Sequence, residues 1–251
     1  LGAFVAVGLI IVGYGTKAGL APLHSWLPDA YSEAPAPVAG LISGALSTMS
    51  MYALLRFKVI ADLALGPDYV RNLLLVAALG SLVVAASLMI TQRDYRRLLA
   101  YSSVEHMGLI ALAAAVGSPL AMSAALLHMI GNGLAKSVTF SVIGEIRFLT
   151  GATLIRDVRG LLRRDPFIGT IFTLGLIALV GLPPFSILAS EVAIVRAGID
   201  DGLGWAIAIA LAVMMVIFTS VAIHAFNMLL GEASDDHDVG SGAGAHVTPM
   251  T

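Results

Sequence analysis

Apolar residues run along this chain in blocks of about twenty, divided by short polar connections. A helix that crosses a bilayer needs about 20 mostly apolar residues, and seven segments qualify: 1–27, 37–59, 71–92, 97–116, 119–147, 166–197 and 205–230. Two of them are interrupted. The first meets Lys17 and breaks at Gly19-Leu20-Ala21-Pro22, ahead of the turn Leu27-Pro28-Asp29. The sixth breaks at Gly181-Leu182-Pro183-Pro184 and carries Glu191 in the apolar piece that follows. Proline removes a backbone donor and clashes with the preceding turn, so each break frees amides and carbonyls. At bilayer depth this is tolerated only where the broken backbone is buried in protein or lines a wet cavity. Paired interrupted helices are the sequence pointer to the ion or substrate site of a transporter-like fold. No alternating segments of about ten residues are present, which argues against a membrane barrel. The pattern predicts an all-α polytopic transmembrane bundle over 1–230, with two discontinuous helices, that moves an ion across a membrane.

From Gly231 onward the chain is rich in Gly, Ser and Ala and carries Asp235, Asp236 and Asp238. This reads as a polar disordered tail over 231–251, with His237 solvated among the acids rather than holding a metal. At the other end the chain begins at Leu1 inside an apolar run, with no initiator Met and no charged leader. That beginning predicts a longer protein whose upstream part precedes Leu1.

Composition sharpens the class. Hydrophobic residues make up 58% of the chain and charged ones 12%, half the usual share in soluble domains, about 25%. A net charge of −2 leaves no basic footprint for nucleic acid. Cysteine is absent, which excludes disulfides and thiolate-held metals or clusters. No phosphate loop, nucleophile triad or HExxH motif occurs, so no cofactor is expected in this chain and no catalytic centre of its own.

Basic residues orient the bundle. Arg93, Arg96 and Arg97 fall in one connection, and Arg147, Arg156, Arg159, Arg163 and Arg164 in another two connections away. The positive-inside rule assigns both to the cytoplasm. Alternation then puts Arg56, Lys58 and Arg71 outside. Trp26 and Tyr31 fit an aromatic interface belt.

Several titratable residues fall within the spans: Lys17, Glu105, His106, His128, Lys136, Glu191 and His224. A charge at a helix centre costs roughly 2.5–3.5 kcal/mol on insertion scales, so such groups face the bundle interior and mark function. His128, Asn132 and Lys136 follow an i, i+4, i+8 spacing that places them on one helix face, the outer two about 12 Å apart. Direct proton transfer cannot cover that distance, so Asn132 and water would bridge it. Histidine and lysine can exchange protons, which a permanently charged arginine cannot. Other readings stand beside these. Lys17 could snorkel from a helix end, and His128 could be an interhelical hydrogen-bonder. Glu105 and His106 could pair with the basic cluster at 93–97, and His224 reads as a packing residue.

The run Lys17-Ala18-Gly19-Leu20-Ala21-Pro22-Leu23-His24-Ser25-Trp26-Leu27-Pro28-Asp29-Ala30, with Ala34-Pro35-Ala36-Pro37-Val38, resembles the antiporter-like membrane subunits. These occur in respiratory complex I, multisubunit Na⁺/H⁺ antiporters and membrane-bound nickel–iron hydrogenases. Arg97–Gly108, the 128–136 face and Gly181-Leu182-Pro183-Pro184-Phe185-Ser186 with Glu191 extend the likeness over about 1–230. Tyr101–Gly108, with Glu105 before His106, looks most like the hydrogenase branch. By that resemblance Lys17 falls on the central proton-accepting lysine, His128 and Lys136 on the proton path, and Glu191 on the exit-side ionisable group. His24, Glu105, His106 and Asn132 are further members of the path or structural. Thr48 stands where many relatives carry Lys or His, and the acidic partner of Lys17 belongs upstream of Leu1. The resemblance implies a proton-translocating subunit of a redox-driven complex of hydrogenase or NADH:quinone oxidoreductase type, multi-pass in the cytoplasmic membrane. Its partners would be the lipid bilayer, other membrane subunits and redox subunits elsewhere in the complex. A Na⁺/H⁺ antiporter subunit and a non-conducting scaffold are the alternatives.

Overall fold

The structure, a computed structural model, describes residues 2–231. Leu1 and the tail 232–251, including the acids and His237 read as solvated, lie outside the described residues. In chain order come α1 (Gly2–Ala18), α2 (Trp26–Glu33), α3 (Ala36–Leu41), a π turn (Ile42–Leu46) and α4 (Ser47–Leu65). Then follow α5 (Pro67–Ile90), α6 (Tyr95–Val116), α7 (Pro119–Thr150), α8 (Leu161–Arg164), α9 (Pro166–Leu179), α10 (Ser186–Asp200) and α11 (Gly204–Leu230). Among the described residues there is no strand, only an isolated bridge between Asp94 and Leu154. The segment Ala36–Leu65 runs on as one rod and, with α5, α6, α7 and α11, is long and apolar enough to cross a membrane. The interrupted blocks are α1 with α2 and α9 with α10. The first extends beyond the expected boundary at 27, since α2 continues to Glu33.

Local chemistry sets the helix ends. Proline opens α5, α7 and α9, where its missing donor costs nothing. The Asp94 carboxylate accepts from the amides of Arg96 at 2.8 Å and Arg97 at 3.1 Å. Asp165 caps α9 in the same way, accepting from Phe167 at 3.1 Å and Ile168 at 3.0 Å. Helices α6 and α7 end on left-handed Gly117 and Gly151.

Helix α6 forms the centre. Its apolar window is 94% buried, against 33% for α11, and α2, α4, α5, α7 and α10 pack around it. Outward-facing Leu63, Val76 and Phe148 are exposed, as suits a surface whose solvent is hydrocarbon. Buried apolar residues form two separate cores. One holds Leu98, Leu99 and Val104 of α6 with Phe140 of α7 and Ile187 of α10; the other holds Met107 and Leu109–Val116 of α6, Ala121, Ala124, Ala125 and Met129 of α7, and Ile194 of α10. Between them lies a polar layer: Ser102, Ser103, Glu105 and His106 on α6, His128, Asn132 and Lys136 on α7, and Ser190 on α10, all buried.

Both breaks share a backbone pattern. Gly19 (φ +92) and Gly181 (φ +73) are left-handed, and each is followed by a cis X-Pro bond, at Ala21-Pro22 and Pro183-Pro184. A side chain in that conformation would cost about 1–2 kcal/mol, which is why glycine stands there. Both breaks close on themselves alike: Leu20 N donates to Gly15 O at 2.8 Å and Leu23 N to Leu20 O at 3.1 Å at the first, and Leu182 N donates to Ile177 O at 3.1 Å and Phe185 N to Leu182 O at 3.2 Å at the second. The first draws on side chains as well: the Ala21 amide donates to Ser81 Oγ at 2.8 Å, and the Trp26 indole donates to the Thr16 carbonyl at 2.8 Å.

Two expectations change. Tyr31 is fully buried rather than in a belt: its hydroxyl bonds Ser47 Oγ at 2.8 Å, and its ring meets Phe140 edge-on at 5.7 Å. A tyrosine near a helix end reads as interfacial, but here α2 folds back against α6 and α7. The basic cluster turns away from Glu105 and His106. Arg97 pairs with Asp29 at 2.7 Å, and buried Arg96 donates to the carbonyls of Tyr31 and Ala34. Lys58, inside the segment read as a span, lies within α4, buried and ion-paired to Asp62 one turn on.

Candidate functional site

Lys136 is fully buried at the centre of α7. Its ammonium donates to the Leu99 carbonyl at 2.6 Å and to Ser102 Oγ, and lies 6.0 Å from the Phe140 ring centroid. Two turns earlier on the same face, His128 meets His106 of α6, with Nε2 and Nδ1 3.0 Å apart. The other nitrogen of His128, Nδ1, bonds Ser190 Oγ of α10 at 2.8 Å. Asn132 lies between these groups with both amide atoms buried and, among the described residues, without a protein partner, and the Nε2 of His106 is likewise unpartnered there. Burying unpaired polar atoms is costly, so this stretch is built for something other than stability alone.

The two carboxylates complete the layer. Glu105 and Glu191 line one cavity of about 520 Å³ together with Ser102, His106 and Gly181. Glu191 packs directly on the second break: a methyl at Gly181 would meet Glu191 Cδ at 3.0 Å and Oε1 at 3.1 Å. Glu191 also borders a second cavity of about 280 Å³ that reaches Leu112 and Ile207. The larger cavity runs the opposite way, to Met89 and Leu98. Glu191 therefore stands where two cavities meet.

The face read from the sequence at 128, 132 and 136 is present, yet each end finds its nearest partner across helices. Glu105 and His106 join the layer. Lys17 and His24 do not: Lys17 is exposed at the end of α1, and His24 borders a groove between α1 and α5, its Nδ1 unpartnered. Thr48 hydroxyl bonds back to the Gly44 carbonyl at 2.7 Å. The ring nitrogens of His224 face the carbonyls of Ser220 at 2.6 Å and Gln92 at 2.9 Å, tying α11 to the connection before α6. Sequence reasoning missed Ser102 and Ser190, whose only signal is adjacency to Glu105 and Glu191.

An all-helical bundle with two broken helices and titratable groups layered at its middle defines the class of antiporter-like membrane proteins. Residues 1–219 match the family described as NADH:quinone oxidoreductase/Mrp antiporter, TM, and the chain belongs to it. It is 43% identical over 184 residues to the hydrogenase-4 component F homolog of Methylacidiphilum infernorum, covering 72% of this chain and 38% of that protein. It is 38% identical over 182 residues to NADH-quinone oxidoreductase subunit N of Desulforudis audaxviator, covering 72% and 36%. Among solved structures, the Mrp complex from Dietzia sp. matches with TM-score 0.85 and 26% identity, over 92% of this chain and 43% of that one. Respiratory complex I from Thermus thermophilus with bound NADH matches with TM-score 0.82 and 27% identity, over 92% and 49%. The chain thus spans less than half the length of these relatives.

Proposed function

We propose that this chain carries protons through the membrane arm of a redox-driven complex of hydrogenase or NADH:quinone oxidoreductase type. One observation supports the reading above others: Lys136, Ser102, Glu105, His106, His128 and Ser190 form a buried layer of exchangeable groups between two apolar cores, with half-buried Glu191 beside it. Structural polar glue needs hydrogen bonds, not a lysine, two histidines and two carboxyl groups gathered within the spans. In this reading a proton is held on Lys136, passes by Ser102 and water to Glu105, exchanges with the histidine pair through His106, and leaves through Glu191 beside the second break. Lys17, apart from the layer, takes the proton-accepting role that the family resemblance implies. Electron carriers would sit on other subunits, and the location would be the cytoplasmic membrane.

A Na⁺/H⁺ antiporter subunit is the second reading, supported by the oxygen ligands Ser102, Glu105 and Glu191 around one cavity. Proton uptake by vesicles holding the intact complex tests both. Lys136→Ala should lower uptake at least tenfold with assembly unchanged, and uptake should not require Na⁺. Na⁺-dependent uptake would favour the antiporter, and loss of assembly alone would favour a scaffold.

A further inference from the structure

Ser190 Oγ lies 2.7 Å from the carbonyl oxygen of Ile187 and 2.8 Å from Nδ1 of His128. A hydroxyl has one hydrogen and a carbonyl can only accept, so that hydrogen is committed to Ile187. Toward His128 the oxygen then offers a lone pair, and His128 Nδ1 must carry the hydrogen. Which ring nitrogen of a histidine is protonated is set by the hydrogen bond the other makes. Neutral His128 therefore presents a bare Nε2, and the 3.0 Å contact to His106 requires the hydrogen on His106 Nδ1. What remains is His106 Nε2, bare, buried and without a protein partner. All three hydrogens point one way, from His106 toward Ile187.

We infer that Ser190 is a positioning residue that locks His128 as its Nδ1–H form, making the histidine pair a side reservoir filled through His106 rather than a through-path to α10. The inference rests on the proposed proton path. A proton arriving at His106 Nε2 forms an N–H bond there. The N–H bond at His106 Nδ1 then breaks as one forms at His128 Nε2, and the positive charge moves to His128. The next atoms are a hydroxyl and an amide carbonyl, neither of which can hold a proton, so the charge returns the way it came. His106, which borders the same cavity as Glu105 and Glu191, is the pair's only outlet to the acids.

Nitrogen NMR of the intact protein in lipid, with ¹⁵N-labelled histidine and His128→Gln and His106→Gln for assignment, reads the hydrogen positions directly. Wild type should show both neutral rings as Nδ1–H. Ser190→Ala should release His128 into a mixture, and Ser190→Thr should restore the wild-type signal. If Thr does not fit, the wild-type spectrum still decides. His128 protonated at Nε2 in the wild type, or an unchanged His128 signal in Ser190→Ala, would overturn the inference. Histidine variants with normal proton uptake but the expected spectrum would instead count against the proton path and leave Ser190's role intact.

Discussion

His106 Nδ1 and His128 Nε2 lie 3.0 Å apart between α6 and α7, with ring centroids 5.2 Å apart. The contact joins two helices at the level where neither apolar core reaches, so the pair is a single unit rather than two sites. Glutamine at either position keeps hydrogen bonding but cannot titrate. His106→Gln and His128→Gln should each reduce proton uptake, and the double variant should fall within about twofold of the worse single. Losses that multiply in this double-mutant cycle would show that the two act independently.

Gly181 is both a backbone device and the floor under Glu191. Alanine there adds about 1–2 kcal/mol of left-handed strain and pushes its methyl into the carboxylate. Gly181→Ala should lower uptake severalfold in assembled complexes, and adding Glu191→Asp, with its shorter reach, should recover part of the loss. A double variant no better than Gly181→Ala alone would mean that strain, not displacement of Glu191, causes the defect.

Tyr31 tests packing apart from conduction. Tyr31→Phe removes the 2.8 Å bond to Ser47 and leaves that hydroxyl buried, at a cost of about 1–3 kcal/mol. Thermal unfolding in detergent should move to lower temperature while proton uptake per assembled complex stays normal. Lost uptake in well-folded Tyr31→Phe would place the phenol in the path.

The spans and both breaks were legible because bilayer thickness and proline chemistry act on sequence directly: a run of twenty apolar residues or a Gly-Leu-x-Pro knot needs no partner to be read. The shared face of His128, Asn132 and Lys136 followed from helix periodicity alone. The partners across helices did not. Whether Glu105 faces the lipid or the cavity depends on the rotation of α6, and only packing against α7 and α10 decides it. Ser102 and Ser190 were invisible because serine in a membrane helix most often bonds back to its own helix, as Ser87 does to Val83 at 2.8 Å; these two do so as well, to Leu99 at 3.0 Å and Ile187 at 2.7 Å, and their partners Lys136 and His128 come from another helix. Tyr31 was misread for a related reason: its position in the chain is interfacial, but α2 turns inward.

The most direct test of proton conduction through the layer is uptake by vesicles containing the intact complex with Glu191→Gln and, separately, Glu191→Asp. Glu191 sits where the two cavities meet, which makes it the carboxyl on which the proposed exit depends. Gln preserves shape and hydrogen bonding without titration, and Asp preserves titration with a shorter reach. The account predicts at least a tenfold loss with Gln and partial uptake with Asp, both in fully assembled complexes. Near-normal uptake with Gln would contradict it.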